Sequence, residues 1–171
     1  MFATALTLSV FWALSPAQAR SASVLVDAAD GRVLQSERAN ALWYPASLTK
    51  LMTAFVVFQA IEDGRLDLGG TVAVSANAAG QQPTKFGFKA GQKITVKQAL
   101  QAMIVASAND AAVVLAETLG GTERDFAQIM TAKAREIGMS RSVFRNASGL
   151  PDSDQVTTAH DMAVLAMRIL R

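Results

Sequence analysis

PASLTKLMTAFVVFQAI, residues 45–61, predicts a single helix that opens at Pro45. Proline is tolerated in a first helical turn, where its missing N–H would have no intrahelical partner. From Leu51 onward the segment is apolar on nearly every side, so the helix is expected to lie inside the domain. Gly64 ends it. Ser47 and Lys50 stand three residues apart near its start, which puts both side chains on one face. A serine hydroxyl is a poor nucleophile until a base takes its proton. A lysine can be that base where desolvation or a neighbouring cation favours the neutral amine. Serine at a helix N-terminus also has free backbone N–H groups and the positive dipole end beside it, both suited to a developing oxyanion. By itself Ser-x-x-Lys is common: average residue usage gives on the order of one chance match in a chain this long.

Upstream, residues 22–27 (ASVLVD) and 32–36 (RVLQS) are short β-type runs around the turn signal Ala28-Ala29-Asp30-Gly31, which predicts a hairpin. Residues 37–44 read as a connection. Downstream, 65–93 is irregular, with a short strand at 71–74. Thr95 and Gln98 have the spacing of a capping box and open a helix to about residue 105. The polar run Ser107-Ala108-Asn109-Asp110 interrupts it. A second apolar helix, 111–119, stops at Gly120-Gly121. Thr122 caps another that ends near Gly138, residues 140–157 read as loop, and Thr158 with Asp161 repeats the capping spacing before a last helix. A two-stranded hairpin is marginal alone. The helices are followed by no obvious further strands, so the chain is expected to be a fragment whose missing C-terminal part completes the sheet.

Of the 171 residues, 51% are apolar and 18% charged, below the roughly 25% usual for soluble domains, which favours a well-buried globular chain. The net charge of +2 comes without a Lys/Arg cluster, so no nucleic-acid partner is implied. The absence of cysteine removes thiol catalysis, disulfides and Cys-based zinc sites. The one histidine, His160, cannot form a His-rich metal site. Residues 1–19 read as a secretory signal: MFATALTLSVFWAL is apolar and uncharged, and Ala17-Gln18-Ala19 fits a small-x-small cleavage site. Its apolar run is shorter than the roughly 20 residues needed to span a bilayer. The mature chain, residues 20–171, would then start at Arg20 and be exported across the cytoplasmic membrane.

Ser107-Ala108-Asn109 is the second chemical element, placed between two apolar helices. A hydroxyl can relay a proton, and an Asn amide can orient a lysine or bind a substrate amide. Taken alone, such a tripeptide is more often an interhelical turn. PASLTKLMTA followed by SANDAAVVLAE, with VDAADGRVL before them and FRNASGLPDSDQVTTAHDMAVLA after, resembles the low-molecular-weight penicillin-binding proteins of the D-alanyl-D-alanine carboxypeptidase family over nearly all of residues 22–171. That resemblance implies the mixed α/β fold of penicillin-binding proteins and serine β-lactamases, here an N-terminal hairpin plus a helical region. It implies Ser47 as the acylated nucleophile, Lys50 as its base, Ser107 as a proton relay, and Asn109 as a residue holding Lys50 and the substrate. The substrates implied are peptidoglycan stem peptides ending in D-Ala-D-Ala, with β-lactams as covalent inhibitors and no metal or organic cofactor. The location implied is the periplasm or the outer face of the cytoplasmic membrane, where a C-terminal amphipathic segment often anchors family members. In the family a Lys-Thr-Gly on a later strand binds the substrate carboxylate; this sequence contains none.

Rival readings are a D,D-endopeptidase, a serine β-lactamase and an inactive remnant. A class A β-lactamase deacylates with a loop glutamate. Glu117, Glu123 and Glu136 all fall in predicted helices here, none in a Glu-x-x-Leu-Asn setting. Several other residues read as structural: His160 in a first helical turn, Met103 and Met130 as core, Asp110 as a helix cap, and Asn146-Ala147-Ser148 as a chance sequon.

Overall fold

The computed structural model describes residues 21–170, so the signal-sequence reading of 1–19 lies outside the described residues. β1 (Ser23–Val26) and β2 (Val33–Glu37) form the expected antiparallel hairpin, with Ser23 opposite Glu37 and a register shift between Leu25 and Val26. Val24 and Val26 point toward the last helix, while every residue of β2 is exposed. A single 3-10 turn, Ala46–Leu48, leads into α1 (Thr49–Glu62). The regular helix predicted from Pro45 thus begins only at Thr49, because Ala46 has a positive φ of 48°, outside the right-handed helical region.

The stretch expected to be irregular holds more order. β3 (Thr71–Ala73) pairs antiparallel with β4 (Lys93–Thr95), and the short α2 (Ala76–Ala79) lies between them. β4 runs directly into α3 (Val96–Ala106), whose N-cap Thr95 makes the full capping box with Gln98. The three residues of β4 are hidden in the sequence by the stronger helix-start signal on the same Thr95. α4 (Asn109–Gly120) begins two residues earlier than expected and is the centre of the helical layer. Its residues 109–116 are all buried, and it packs on α1, α2, α3 and α5 (Glu123–Glu136). The last helix, α6 (Ala159–Ile169), packs on α1 and β1.

The core is one cluster joining Met52, Val56 and Val57 of α1 to Leu100 and Met103 of α3, Val113 to Leu115 of α4, and Phe126 and Met130 of α5. The expectation that α1 is enclosed holds for one side only. Leu48, Leu51 and Phe58 form an exposed apolar face beside Ile104 and Ile169. The composition of α1 hid this, because an apolar stripe looks the same whether or not the described residues cover it.

Thr122 caps α5 as expected, its hydroxyl accepting the Asp125 N–H. Thr158 likewise accepts the Asp161 N–H, but the Asp161 carboxylate turns away to accept from the Arg141 N–H and the Ser142 hydroxyl. An extended bridge between Val143 and Val156 closes residues 140–157 on themselves, and a second, Trp43 with Thr157, ties them to the body. Gly120 allows α4 and α5 to meet at their corner. A Cβ there would lie 2.6 Å from the Phe126 nitrogen and 2.8 Å from its Cα, both backbone atoms that cannot swing aside. Gly120→Ala is therefore expected to lower stability by about 1–3 kcal/mol, the usual cost of forced overpacking. Urea denaturation of the two proteins measures it, and equal midpoints would refute the close packing.

Candidate active site

Ser47 sits in the 3-10 turn and is exposed, while Lys50, one turn later, is buried in the first turn of α1. Ser107 is the C-terminal residue of the α3 exit, in a left-handed conformation (φ 53°) that turns the chain sharply into α4. All three line one cavity of about 700 Å³, whose apolar walls are Leu51, Phe55 and Phe58 from α1 and Met103 and Ile104 from α3. Residues 60 positions apart in the sequence are brought together because α1 and α3 both pack on α4.

The Lys50 amine donates to the Ser148 carbonyl at 2.6 Å, and burial lowers its pKa below the ordinary 10.5. Desolvation penalises the ammonium and favours the neutral amine, the form a general base needs. Ser148 belongs to the loop of residues 144–150, which is closed by its own side chains. Asn146 Oδ1 accepts the Gly149 N–H at 2.7 Å and its Nδ2 donates to the Leu150 carbonyl. The Gln155 amide oxygen accepts the N–H groups of Arg145 and Asn146. From α1, the Thr53 hydroxyl donates to the Ala147 carbonyl at 2.8 Å. The sequon reading of Asn146 thus resolves into a loop-closing amide.

Gly149 makes the closest approach. With φ +88°, it lies so near the nucleophile turn that a Cβ would overlap the Ala46 carbonyl and stand 3.0 Å from the Ser47 nitrogen. One loop therefore touches the Ser47 backbone through Gly149 and the lysine through Ser148. Sequence reasoning missed Gly149, Thr53 and Glu123. Glu123 opens α5 and its carboxylate accepts the Ala147 N–H at 3.0 Å. Burial raises its pKa, the Ala147 N–H opposes that, and the nearby Glu117 carboxylate adds to the rise. Only the Asn-Ala-Ser-Gly-Leu run, as a turn signal, hinted that this loop was special.

Asn109 does not line the cavity, and its expected bond to Lys50 is not formed. Its Nδ2 donates to the Gln82 carbonyl at 2.9 Å and its backbone N–H to the Thr84 carbonyl at 2.8 Å. Asp110 is fully buried and does more than cap. Besides the Ala111 N–H in its own helix, its carboxylate accepts the N–H groups of Phe86, Gly87 and Phe88. Asn109 and Asp110 together pin residues 82–88 beside the end of α3. There Phe86 and Phe88 stack with centroids 4.8 Å apart and border a second hollow with Val105 and Ala106. The cap reading is incomplete because three of the carboxylate's partners lie 22 to 24 residues upstream, beyond any local pattern. His160 is half-exposed on α6, near β1 and β2 and away from this cavity.

An exposed serine in a turn at the head of α1, a buried lysine one turn on and a serine at an αL corner thus share one cavity, an arrangement whose chemistry suits acyl transfer. The D-alanyl-D-alanine carboxypeptidase DacD of Francisella tularensis superposes over 97% of this chain and 40% of its own, with a TM-score of 0.87 and 36% identity. Penicillin-binding protein D2 of Listeria monocytogenes, solved in an ampicillin-bound form, covers 87% of this chain at a TM-score of 0.72 and 30% identity, with 60% of its own length matched. The D-alanyl-D-alanine carboxypeptidase DacF of Bacillus subtilis is 34% identical over 154 residues. The family model for D-alanyl-D-alanine carboxypeptidases matches residues 11–171, and the chain belongs to that family. It spans 39% of the length of the Bacillus relative.

Because the glycine at 149 leaves room for the Ala46–Ser47 peptide, Gly149→Ala is expected to displace the nucleophile while leaving the helices in place. A misplacement of about 1 Å can cost on the order of 100-fold in rate. Acylation of Ser47 by a fluorescent penicillin in the full-length protein should fall by about that factor with the far-UV circular dichroism unchanged. Labelling at the original rate would refute the role given to this contact.

Proposed function

We propose that the full-length protein containing this chain is a serine D-Ala-D-Ala carboxypeptidase that removes the terminal D-alanine from peptidoglycan stem peptides. The observation that carries this reading is the convergence of Ser47, Lys50 and Ser107 on one cavity, with the lysine desolvated. Relatives named as D-alanyl-D-alanine carboxypeptidases support the substrate. The ampicillin-bound relative supports β-lactams as pseudo-substrates. The apolar leader at 1–19 supports export to the periplasm or the outer face of the membrane, where such peptides lie.

The neutral Lys50 amine takes the Ser47 proton as Oγ attacks the carbonyl carbon of the penultimate D-Ala. The Ser47 backbone N–H, in a turn that leaves N–H groups without helical partners, stabilises the oxyanion. Ser107 then relays a proton from the Lys50 ammonium to the amine of the terminal D-Ala. The C–N bond breaks, D-alanine leaves and the peptide stays as an ester on Ser47. Water, losing its proton to the same lysine, hydrolyses that ester and restores the hydroxyl. A penicillin acylates Ser47 by the same attack, but its leaving amine stays tethered and obstructs the water. Asn109 anchors residues 82–88 next to the Ser107 turn.

Ser47→Ala should abolish both D-Ala release and covalent penicillin labelling, and His160→Ala should change neither. Mass spectrometry that placed the penicilloyl group on any residue but Ser47 would overturn the mechanism at its first step.

The lysine base also sets a pH dependence. Burial holds its pKa below 10.5, so the acylation rate should rise with pH through a step that lies below that value. Lys50→Arg, always protonated, should remove the step together with the rate. A flat profile, or a step at 10.5 or above, would exclude Lys50 as a desolvated base.

A further inference from the structure

We infer that Glu123 is a positioning residue for the acyltransfer reaction: from the first turn of α5 its carboxylate holds the loop that fixes both Lys50 and Ser47. This deepens the carboxypeptidase reading and rests on it.

The linkage can be followed bond by bond. Glu123 Oε1 accepts the Ala147 N–H at 3.0 Å. The carbonyl of the same Ala147 accepts the Thr53 hydroxyl of α1 at 2.8 Å. The next carbonyl, of Ser148, accepts the Lys50 amine, and the next residue, Gly149, abuts the Ala46–Ser47 peptide. Three consecutive loop residues thus meet α5, the base and the nucleophile turn. Ala147 and Ser148 are buried, so the Ala147 N–H has no ready replacement in water if its acceptor is lost. Leaving a buried donor unpaired costs about 1–3 kcal/mol, enough for the loop to relax away from Lys50.

A purely structural explanation of Glu123 is available: a carboxylate in a first turn suits the helix dipole. The site it occupies argues against that being all. Glu123 is part-buried and close to Glu117, whose own carboxylate accepts the Asn77 amide at 2.9 Å. A carboxylate serving only the dipole would sit better in water, as Asp125 of the same turn does. What burial provides here is reach to the Ala147 N–H.

Three substitutions separate the readings in the full-length protein. Glu123→Gln keeps an acceptor oxygen at the same reach without the charge. Glu123→Asp keeps the charge but draws the oxygen back by a methylene. Glu123→Ala removes both. The expected result is a kcat for D-Ala release, and a penicillin acylation rate, reduced at least tenfold in Glu123→Asp and Glu123→Ala with KM little changed. Glu123→Gln should stay within about threefold of the parent. Amide hydrogen exchange over residues 145–150 should quicken in the Asp and Ala variants and not in Gln. If Glu123→Ala fails to fold, the Asp and Gln pair decides. Equal rates and equal exchange in Asp and Gln, or Gln falling as far as Asp, would overturn the assignment. A parent protein with no D-Ala release and no label on Ser47 would defeat the carboxypeptidase reading instead, and the exchange data would still judge the Glu123 link.

Discussion

The bond from the Lys50 amine to the Ser148 carbonyl is the constraint around which the site is arranged. An amine drawn in from bulk water loses part of its hydration, and an unpaired buried charge would cost several kcal/mol. Two responses keep the cost small: the amine gives up its proton more readily, and a single carbonyl accepts from it. The first suits the lysine to the proposed role of base, and the second makes its position depend on a loop almost a hundred residues later. That loop must then be rigid by its own means. The Asn146 and Gln155 amides close it, and Thr53 and Glu123 clamp it from two helices.

The opposite wall is held by a different device. Ser107, Asn109 and Asp110 are nearly adjacent in sequence but point to separate tasks. Ser107 faces the cavity, while Asn109 and Asp110 reach back to residues 82–88. One sharp αL turn between α3 and α4 thus places a hydroxyl at the cavity and anchors a neighbouring loop. Because α4 is buried along residues 109–116, its N-terminus cannot shift without disturbing the core, and both functions share that stiffness.

Sequence patterns captured what local chemistry determines. The hairpin turn, the Thr95–Gln98 box and the Thr122 and Thr158 caps were legible because each depends on residues within a few positions. Ser47 and Lys50, three residues apart, do line one cavity, although a 3-10 turn and not the α-helix carries Ser47. Partners distant in the chain were not legible. Asp161 matches a capping pattern, yet its carboxylate goes to Arg141 and Ser142, twenty positions back. Asp110 and Glu123 look like ordinary first-turn acids, and their roles appear only when loops from elsewhere present bare N–H groups to them. Polar residues buried by tertiary contacts are where pattern reading ends, because their partners are chosen by the fold.

The nucleophile turn shows why such distant support is needed. Ala46 holds a left-handed conformation that costs an L-residue about 1–2 kcal/mol, and Pro45 before it cannot donate a hydrogen bond to steady the chain. A turn in that state would relax if it were free. It is held on one side by the rigid start of α1, where the Thr49 N–H returns to the Ala46 and Ser47 carbonyls. On the other side stands the backbone of Gly149. A side chain at 149 would push the turn outward, and a loosened loop would let it fall back. The glycine therefore sets a distance rather than supplying flexibility. The same loop that gives Lys50 its acceptor also keeps Ser47 one helical turn away from that lysine, with its hydroxyl exposed to the cavity.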